Sequence, residues 1–264
     1  MNPSTPRSGK LAAALVALAA TAGAPAAQSA EPVPTVLVTG ANRGIGLGIV
    51  RVYVARGWKV IATARRPDEA TELRALAAAD PDLKIEALDV TDHAQVDALA
   101  AKYRGQPIDV LINNAGILDR ETQRFGSVDY DVFRKVLETN TIAPFKLTEA
   151  LMPSLRASSQ KKVVTVSSGE GSLGMVNSAR VYSYRASKAA VNMLMLNLAY
   201  EVKKDGVSVA LLNPGPVATD MMKNAPIALR PVDDAAARLV GLIDRLTLEN
   251  TGRFWDVTGV ELPW

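Results

Sequence analysis

Val36-Leu37-Val38-Thr39-Gly40-Ala41-Asn42-Arg43-Gly44-Ile45-Gly46 passes from a short β-branched run through a glycine turn into an apolar stretch, Leu47 to Arg56, that reads as a helix. A short, continuously apolar run rich in valine is what a strand buried on both faces looks like. Glycines at such a junction let the backbone approach a ligand, and the amides and dipole of the following helix favour an anion. The stretch therefore predicts a pyrophosphate-binding turn opening a βαβ unit. Its spacing is Gly-x3-Gly-x-Gly, not Gly-x-Gly-x-x-Gly. Taken alone the turn also fits a merely tight bend; its place between strand and helix favours phosphate.

Working outward, a second strand, Lys59 to Ala64, ends at Arg65-Arg66-Pro67. An acid at that strand end would accept hydrogen bonds from the adenine ribose and select NAD. Ala64 and Arg65 stand there instead. Arg65, together with Arg43 from the glycine turn, fits the ribose 2′-phosphate of NADP(H), because guanidinium groups match phosphate geometry. Two solvated surface arginines are the alternative.

The remaining chain repeats the alternation. A helix is predicted over Asp68 to Ala79, a strand over Leu83 to Leu88, and a turn at Asp89-Val90-Thr91 with Thr91 as N-cap. Asp89 either meets the adenine amino group or helps cap the helix. A strand at Ile108 to Ile112 ends in Asn113-Asn114-Ala115-Gly116, small residues and amides suited to close ligand approach. A helix over Tyr130 to Thr148 contains Asn140 and Pro144, and the proline predicts an irregularity where the Asn140 side chain holds water. Strands at Val163 to Val166 and Val207 to Leu212 lead into Ser167-Ser168 and into Asn213 to Asp220. A helix over Ala235 to Thr247 and a strand over Arg253 to Val257 close the chain. This order predicts an α/β fold, a doubly wound parallel sheet in one domain over residues 31–264.

Tyr184-Arg185-Ala186-Ser187-Lys188 opens another helix, continuing through Ala189 to Val202. If it starts near Ser183, Tyr184 and Lys188 share a face one turn apart. A fixed cation beside a phenol favours the phenolate, which would lower the tyrosine pKa from about 10 and make it an acid-base group for a carbonyl oxygen. An accidental surface pair is the competing reading, and the rest of the chain must decide.

Composition excludes several chemistries. Across 264 residues there is no cysteine and one histidine, His93. Disulfides, thiolate chemistry and His/Cys metal sites are therefore out, and a Ser-His-Asp hydrolase would need His93 itself. The net charge is +3, and two of the basic residues, Arg7 and Lys10, fall in the first thirty positions. The remainder is close to neutral without a Lys/Arg cluster, which gives no footprint for nucleic acid.

Residues 1–30 read as an export signal. Arg7 and Lys10 form the positive start, Leu11 to Ala24 the apolar middle, and Ala24-Pro25-Ala26 the small-residue cleavage site, with Ala27, Ser29 and Ala30 as further cleavage points. The run is too short for a membrane span. The expectation is an exported or periplasmic protein if the segment is used, and a cytoplasmic one if it is an over-long start.

Together these residues resemble the short-chain dehydrogenase/reductase family from about Val33 to Trp264. The resemblance rests on Thr39-Gly40-Ala41-Asn42-Arg43-Gly44-Ile45-Gly46, Asp89-Val90, Asn113-Asn114-Ala115-Gly116, Asn140, Ser167-Ser168, Tyr184-x3-Lys188 and Pro214-Gly215-x-Val217-x-Thr219. Ser168 to Ser172, Tyr182 to Asn192 and the ending Glu261-Leu-Pro-Trp264 resemble the C-factor and sniffer-type carbonyl reductases within it.

The resemblance implies an NADPH-dependent reduction of a ketone or aldehyde. In it Tyr184 is the general acid, Lys188 lowers the tyrosine pKa and holds the nicotinamide ribose, and Ser168 hydrogen-bonds the substrate oxygen. Ser167 and Ser172 are rivals for that serine, because the separation from Ser168 to Tyr184 is longer than the family's commonest spacing. By the same resemblance Asn140 binds a water behind the lysine, while Pro214, Gly215, Val217 and Thr219 hold the nicotinamide carboxamide. Thr39, Gly40, Asn42, Gly44, Ile45, Gly46, Asp89, Val90, Asn114, Ala115 and Gly116 complete the cofactor set.

Met221, Met222, Ala225, Ile227 and Leu229 form either an apolar lid for a hydrophobic carbonyl substrate or part of the core. The apolar excess on the long helices, including Val191, Leu194, Leu196 and Leu198, predicts a homodimer or homotetramer. A nucleotide-binding sensor with little turnover and an NAD-dependent alcohol dehydrogenase are the alternative functions.

Overall fold

A computed structural model describes residues 1–4, 32–120 and 125–264. The chain divides into two units, Met1–Pro32 and Val33–Trp264. The signal-like stretch lies almost wholly outside the described residues.

The second unit is built on a seven-stranded parallel sheet: β1 (Thr35–Val38), β2 (Lys59–Ala64), β3 (Leu83–Ala87), β4 (Val110–Asn113), β5 (Lys162–Val166), β6 (Ser208–Asn213) and β7 (Arg253–Asp256). Their order in space is β3-β2-β1-β4-β5-β6-β7. Side chains alternate across a strand, so each strand divides its apolar residues between two faces.

On one face Val36, Val38, Val110, Ile112, Val164 and Leu212 pack with α1 (Gly44–Ala55), α2 (Thr71–Ala79) and α7 (Val232–Asp244). On the other Leu37, Leu111, Val163, Val209 and Leu211 pack with α3 (His93–Lys102), α5 (Ala143–Arg156) and α6 (Tyr182–Val202). Two buried faces require helices on both sides, which is why these strands are nearly all apolar. The expected doubly wound α/β fold is the one observed, and its strand order reverses between β1 and β4.

Three local expectations are corrected. The helix expected over 130–148 is three pieces: α4 (Tyr130–Leu137), a π turn (Glu138–Ile142) and α5, which continues to Arg156. Pro144 sits in the first turn of α5, where its missing N–H is tolerated; Pro153 is the proline inside the helix. Thr91 does not cap α3. Asp92 does, accepting a hydrogen bond from the Gln95 N–H at 3.1 Å. Finally, the helix expected from Asp68 begins at Thr71, after a short 3-10 turn at Pro67–Glu69.

Candidate active site

The reversal of strand order opens a cleft of about 860 Å³ at the carboxyl ends of the strands, within the size range of small-molecule sites. Gly40 and Gly44 both adopt left-handed backbone, with φ of 63° and 55°. A Cβ on Gly40 would lie 3.0 Å from the Ala115 Cα, so only glycine lets the turn lie against the end of β4. The helix behind it has no side-chain cap at Arg43 and no acid in its first turn. Its N-terminal amides and dipole are thus available to an anion.

The turn is fixed from beneath. Thr39 Oγ1 accepts hydrogen bonds from the N–H groups of Asn114 and Ala115, both at 3.0 Å. The Asn114 amide donates back to the carbonyls of Thr39 at 2.8 Å and Gly40 at 3.2 Å. A Cβ on Gly46 would sit 2.4 Å from the Gly40 carbonyl oxygen. Thr39 and Gly46 therefore shape the turn, whereas Gly40, Asn42, Arg43, Gly44 and Ile45 face the cleft.

The cleft wall continues through Arg65, Asp89 and Val90, then Asn114, Ala115 and Gly116. Arg65 is exposed, with no ion-pair partner among the described residues. Arg43 pairs with Asp220 at 2.6 Å. Asp89 accepts hydrogen bonds from the Thr91 N–H at 3.0 Å and hydroxyl at 2.7 Å. It holds the turn at Thr91 and does not cap α3, whose cap is Asp92, and it borders the cleft.

Tyr184 and Lys188 line the other end. Lys188 is 5% exposed and donates to the Val166 carbonyl at 2.9 Å. Its Nζ lies 5.7 Å from the centre of the Tyr184 ring, so the shared helical face is real. Ser168 heads the short turn Gly169–Gly171 and accepts from the Glu170 N–H at 3.2 Å, and its hydroxyl acts to lower the pKa of the neighbouring Tyr184 phenol. Gly171 packs on the Lys188 main chain, where a Cβ would clash at 2.7 Å.

The rival serines are engaged differently. Ser167 borders the cleft, but its hydroxyl donates to Asn192 at 2.5 Å in a buried pair. Ser172 is buried, and its hydroxyl has no partner among the described residues.

Electrostatics here reverse one expectation. Burial raises the Tyr184 pKa, with the Glu170 charge acting in the same direction; the Ser168 hydrogen bond and the Arg120 charge oppose this without overcoming it. The same burial pulls Lys188 down to about 8. Loss of water pushes both groups towards their neutral forms.

Asn140 sits in the π turn, where its amide donates to the Ile117 carbonyl at 2.9 Å and to Ser187 Oγ at 3.0 Å, and its Oδ1 accepts from the Ile117 N–H at 2.9 Å. The side chain thus ties the loop after β4 to α6.

After β6, Pro214 and Thr219 border the cleft, while Val217 is buried and Gly215 turns at φ 67°. Met221 and Leu229 line the cleft, and none of Met221, Met222, Ala225, Ile227 and Leu229 is buried. Met221 and Leu229 thus form part of the cleft wall, and none of the five is core.

Sequence reasoning missed Glu170, Arg120, Asn213 and Asp220. The Asn213 side chain accepts from the N–H groups of Gly169 at 3.0 Å and Gly215 at 3.2 Å, and donates to Asp256 at 2.7 Å. It joins the turn after Ser168 to the segment carrying Thr219. Only its place at the end of an apolar strand, beside Pro214-Gly215, hinted at this.

A parallel sheet with a glycine turn and a Tyr-Ser-Lys cluster at opposite ends of one switch-point cleft defines a Rossmann-type protein built for a ligand at its strand ends. The chain belongs to the short-chain dehydrogenase/reductase family: the family model described as short chain dehydrogenase matches residues 34–229. It is 42% identical over 235 residues to 1-hydroxy-2-glutathionyl-2-methyl-3-butene dehydrogenase of Rhodococcus sp. (strain AD45), covering 87% of this chain and 99% of that one.

Among solved structures it resembles the NADPH-bound carbonyl reductase from chicken fatty liver (TM-score 0.82, 34% identity, covering 88% of this chain and 99% of that one). It also resembles carbonyl reductase Sniffer of D. melanogaster (TM-score 0.83, 28% identity, 88% and 100%). The protein is an oxidoreductase of this carbonyl reductase type.

Proposed function

We propose that the protein uses NADP(H) to reduce a hydrophobic ketone or aldehyde to its alcohol, with Tyr184 as the proton donor. The observation that carries this is Tyr184 and Lys188, side by side at the end of a cleft whose far rim bears Arg43 and Arg65. The residues present fit the cofactor: the uncapped start of α1 and the left-handed glycines would hold its pyrophosphate, and the two arginines its 2′-phosphate. When bound, the cofactor supplies the hydride.

Ser168 orients the substrate oxygen and Tyr184 gives it a proton. A tyrosine whose pKa is raised by burial stays protonated at neutral pH. That state suits reduction, in which the phenol must donate. Lys188 holds the ribose end, and Asn140 acts through Ile117 and Ser187 to fix the loop and helix that flank it. Pro214, Gly215, Val217 and Thr219 support the carboxamide end. Met221, Leu229 and Ile117 supply an apolar wall suited to a hydrophobic carbonyl compound.

The test is Tyr184→Phe, followed by NADPH oxidation with a panel of hydrophobic carbonyls. A fall of about 10²–10⁴-fold in kcat is expected, with NADPH affinity retained. Unchanged turnover would reject the role of Tyr184, and no turnover by the wild type alongside tight NADPH binding would favour a sensor.

A further inference from the structure

Arg43 already has a partner. Its Nη1 lies 2.6 Å from a carboxylate oxygen of Asp220, a residue 177 positions later in the chain. Arg65, the other arginine on this rim, has none among the described residues. The contact with Asp220 is not a chance meeting of two long side chains. Asp220 directly follows Thr219, and Thr219 packs on the glycine turn so closely that a Cβ on Gly44 would lie 3.2 Å from its methyl group. Backbone packing thus delivers the carboxylate to the arginine.

We propose that Asp220 is a determinant of cofactor specificity: its carboxylate occupies Arg43 in an ion pair that a ribose 2′-phosphate must displace. The inference rests on the NADP(H) reading above. Both side chains are 68% exposed, so the pair is weak and exchangeable. A phosphate dianion offers the guanidinium a stronger, charge-assisted and two-pronged partner. NADPH binding therefore exchanges one ion pair for another and carries the loss of the first as a reduced affinity. NADH lacks the 2′-phosphate and leaves the pair intact. Asp220 lies at the base of the segment bearing Met221 and Leu229, so the 2′-phosphate also releases one tether between the glycine turn and the substrate wall.

The experiment is isothermal titration calorimetry of the full chain with NADPH and with NADH, using the wild type, Asp220→Asn, Asp220→Glu, Arg43→Ala and the Arg43→Ala/Asp220→Asn double variant. Asp220→Asn is expected to tighten NADPH about two- to fivefold, the range of an exposed ion pair, and to leave NADH unchanged. Asp220→Glu keeps the pair and the wild-type affinities. In the Arg43→Ala background, Asp220→Asn has no further effect.

Unchanged or weakened NADPH binding in Asp220→Asn, with Arg43→Ala still weakening it, would overturn the role of Asp220 while leaving the NADP(H) reading standing. Tightening that persists without Arg43 would mean simple charge repulsion and would also overturn it. Equal wild-type affinity for NADPH and NADH, insensitive to Arg43→Ala, would remove the parent reading and this inference with it.

Discussion

Replacing Lys188 by methionine removes a charge that the fold holds against its preference for water. Lysine and methionine are both unbranched and similar in reach, so packing changes little. Burial brings the folded-state pKa down to about 8, and the gap from an ordinary lysine corresponds to about 3 kcal/mol of lost stability. Below pH 8 both folded and unfolded chains carry the proton, and the full penalty applies. Between about 8 and the ordinary lysine value the folded lysine is neutral while the unfolded one still binds a proton, so rising pH favours the folded state. Above that range the penalty is gone.

The variant gives up the hydrogen bond to the Val166 carbonyl, which offsets about 1–2 kcal/mol of the gain at every pH. Lys188→Met should therefore be more stable than wild type by about 1–2 kcal/mol at pH 7, and this advantage should shrink by about 2 kcal/mol on going to pH 10. Urea unfolding followed by the fluorescence of Trp58, Trp255 and Trp264 measures both chains across that range. A stability difference that stays flat with pH, or grows, would refute the argument that desolvation governs this lysine.

Four other outcomes are expected. Gly46→Ala places a Cβ 2.4 Å from the Gly40 carbonyl oxygen and should displace the turn, weakening NADPH binding about tenfold or more at a cost of about 1.4 kcal/mol per decade. Gly241→Ala, which meets nothing within 4 Å inside α7, should leave binding alone and raise stability by up to about 1 kcal/mol. Thr39→Val removes the acceptor for two main-chain N–H groups and should lower stability by about 2 kcal/mol or more, seen as a fall in Tm of about 5 °C; a shift under about 1 °C would contradict it. Sedimentation at micromolar concentration should show a dimer or tetramer, broken by Met193→Glu/Tyr200→Glu on the exposed face of α6; a wild-type monomer would reject this. Val191 and Leu198 do not bear on that test, because the core of the protomer already buries them.

The alternation of apolar runs with glycine turns was enough to read the sheet, because strands buried on both faces admit few residue types and leave a plain trace. β2 was legible to the residue, and Tyr184 and Lys188 were legible as neighbours because helical spacing is local. The order of the motifs identified the family. What the sequence alone could not determine were contacts between distant segments. The break of the 130–156 helix into a π turn brings the Asn140 amide to Ile117. The pKa direction of Tyr184 follows from burial, a quantity no spacing rule contains. Asp220 meets Arg43 only because Thr219 packs on Gly44. Chain-local patterns fix what a residue is and which way it faces, whereas its charge state and its partners depend on what the rest of the fold brings within a few ångströms.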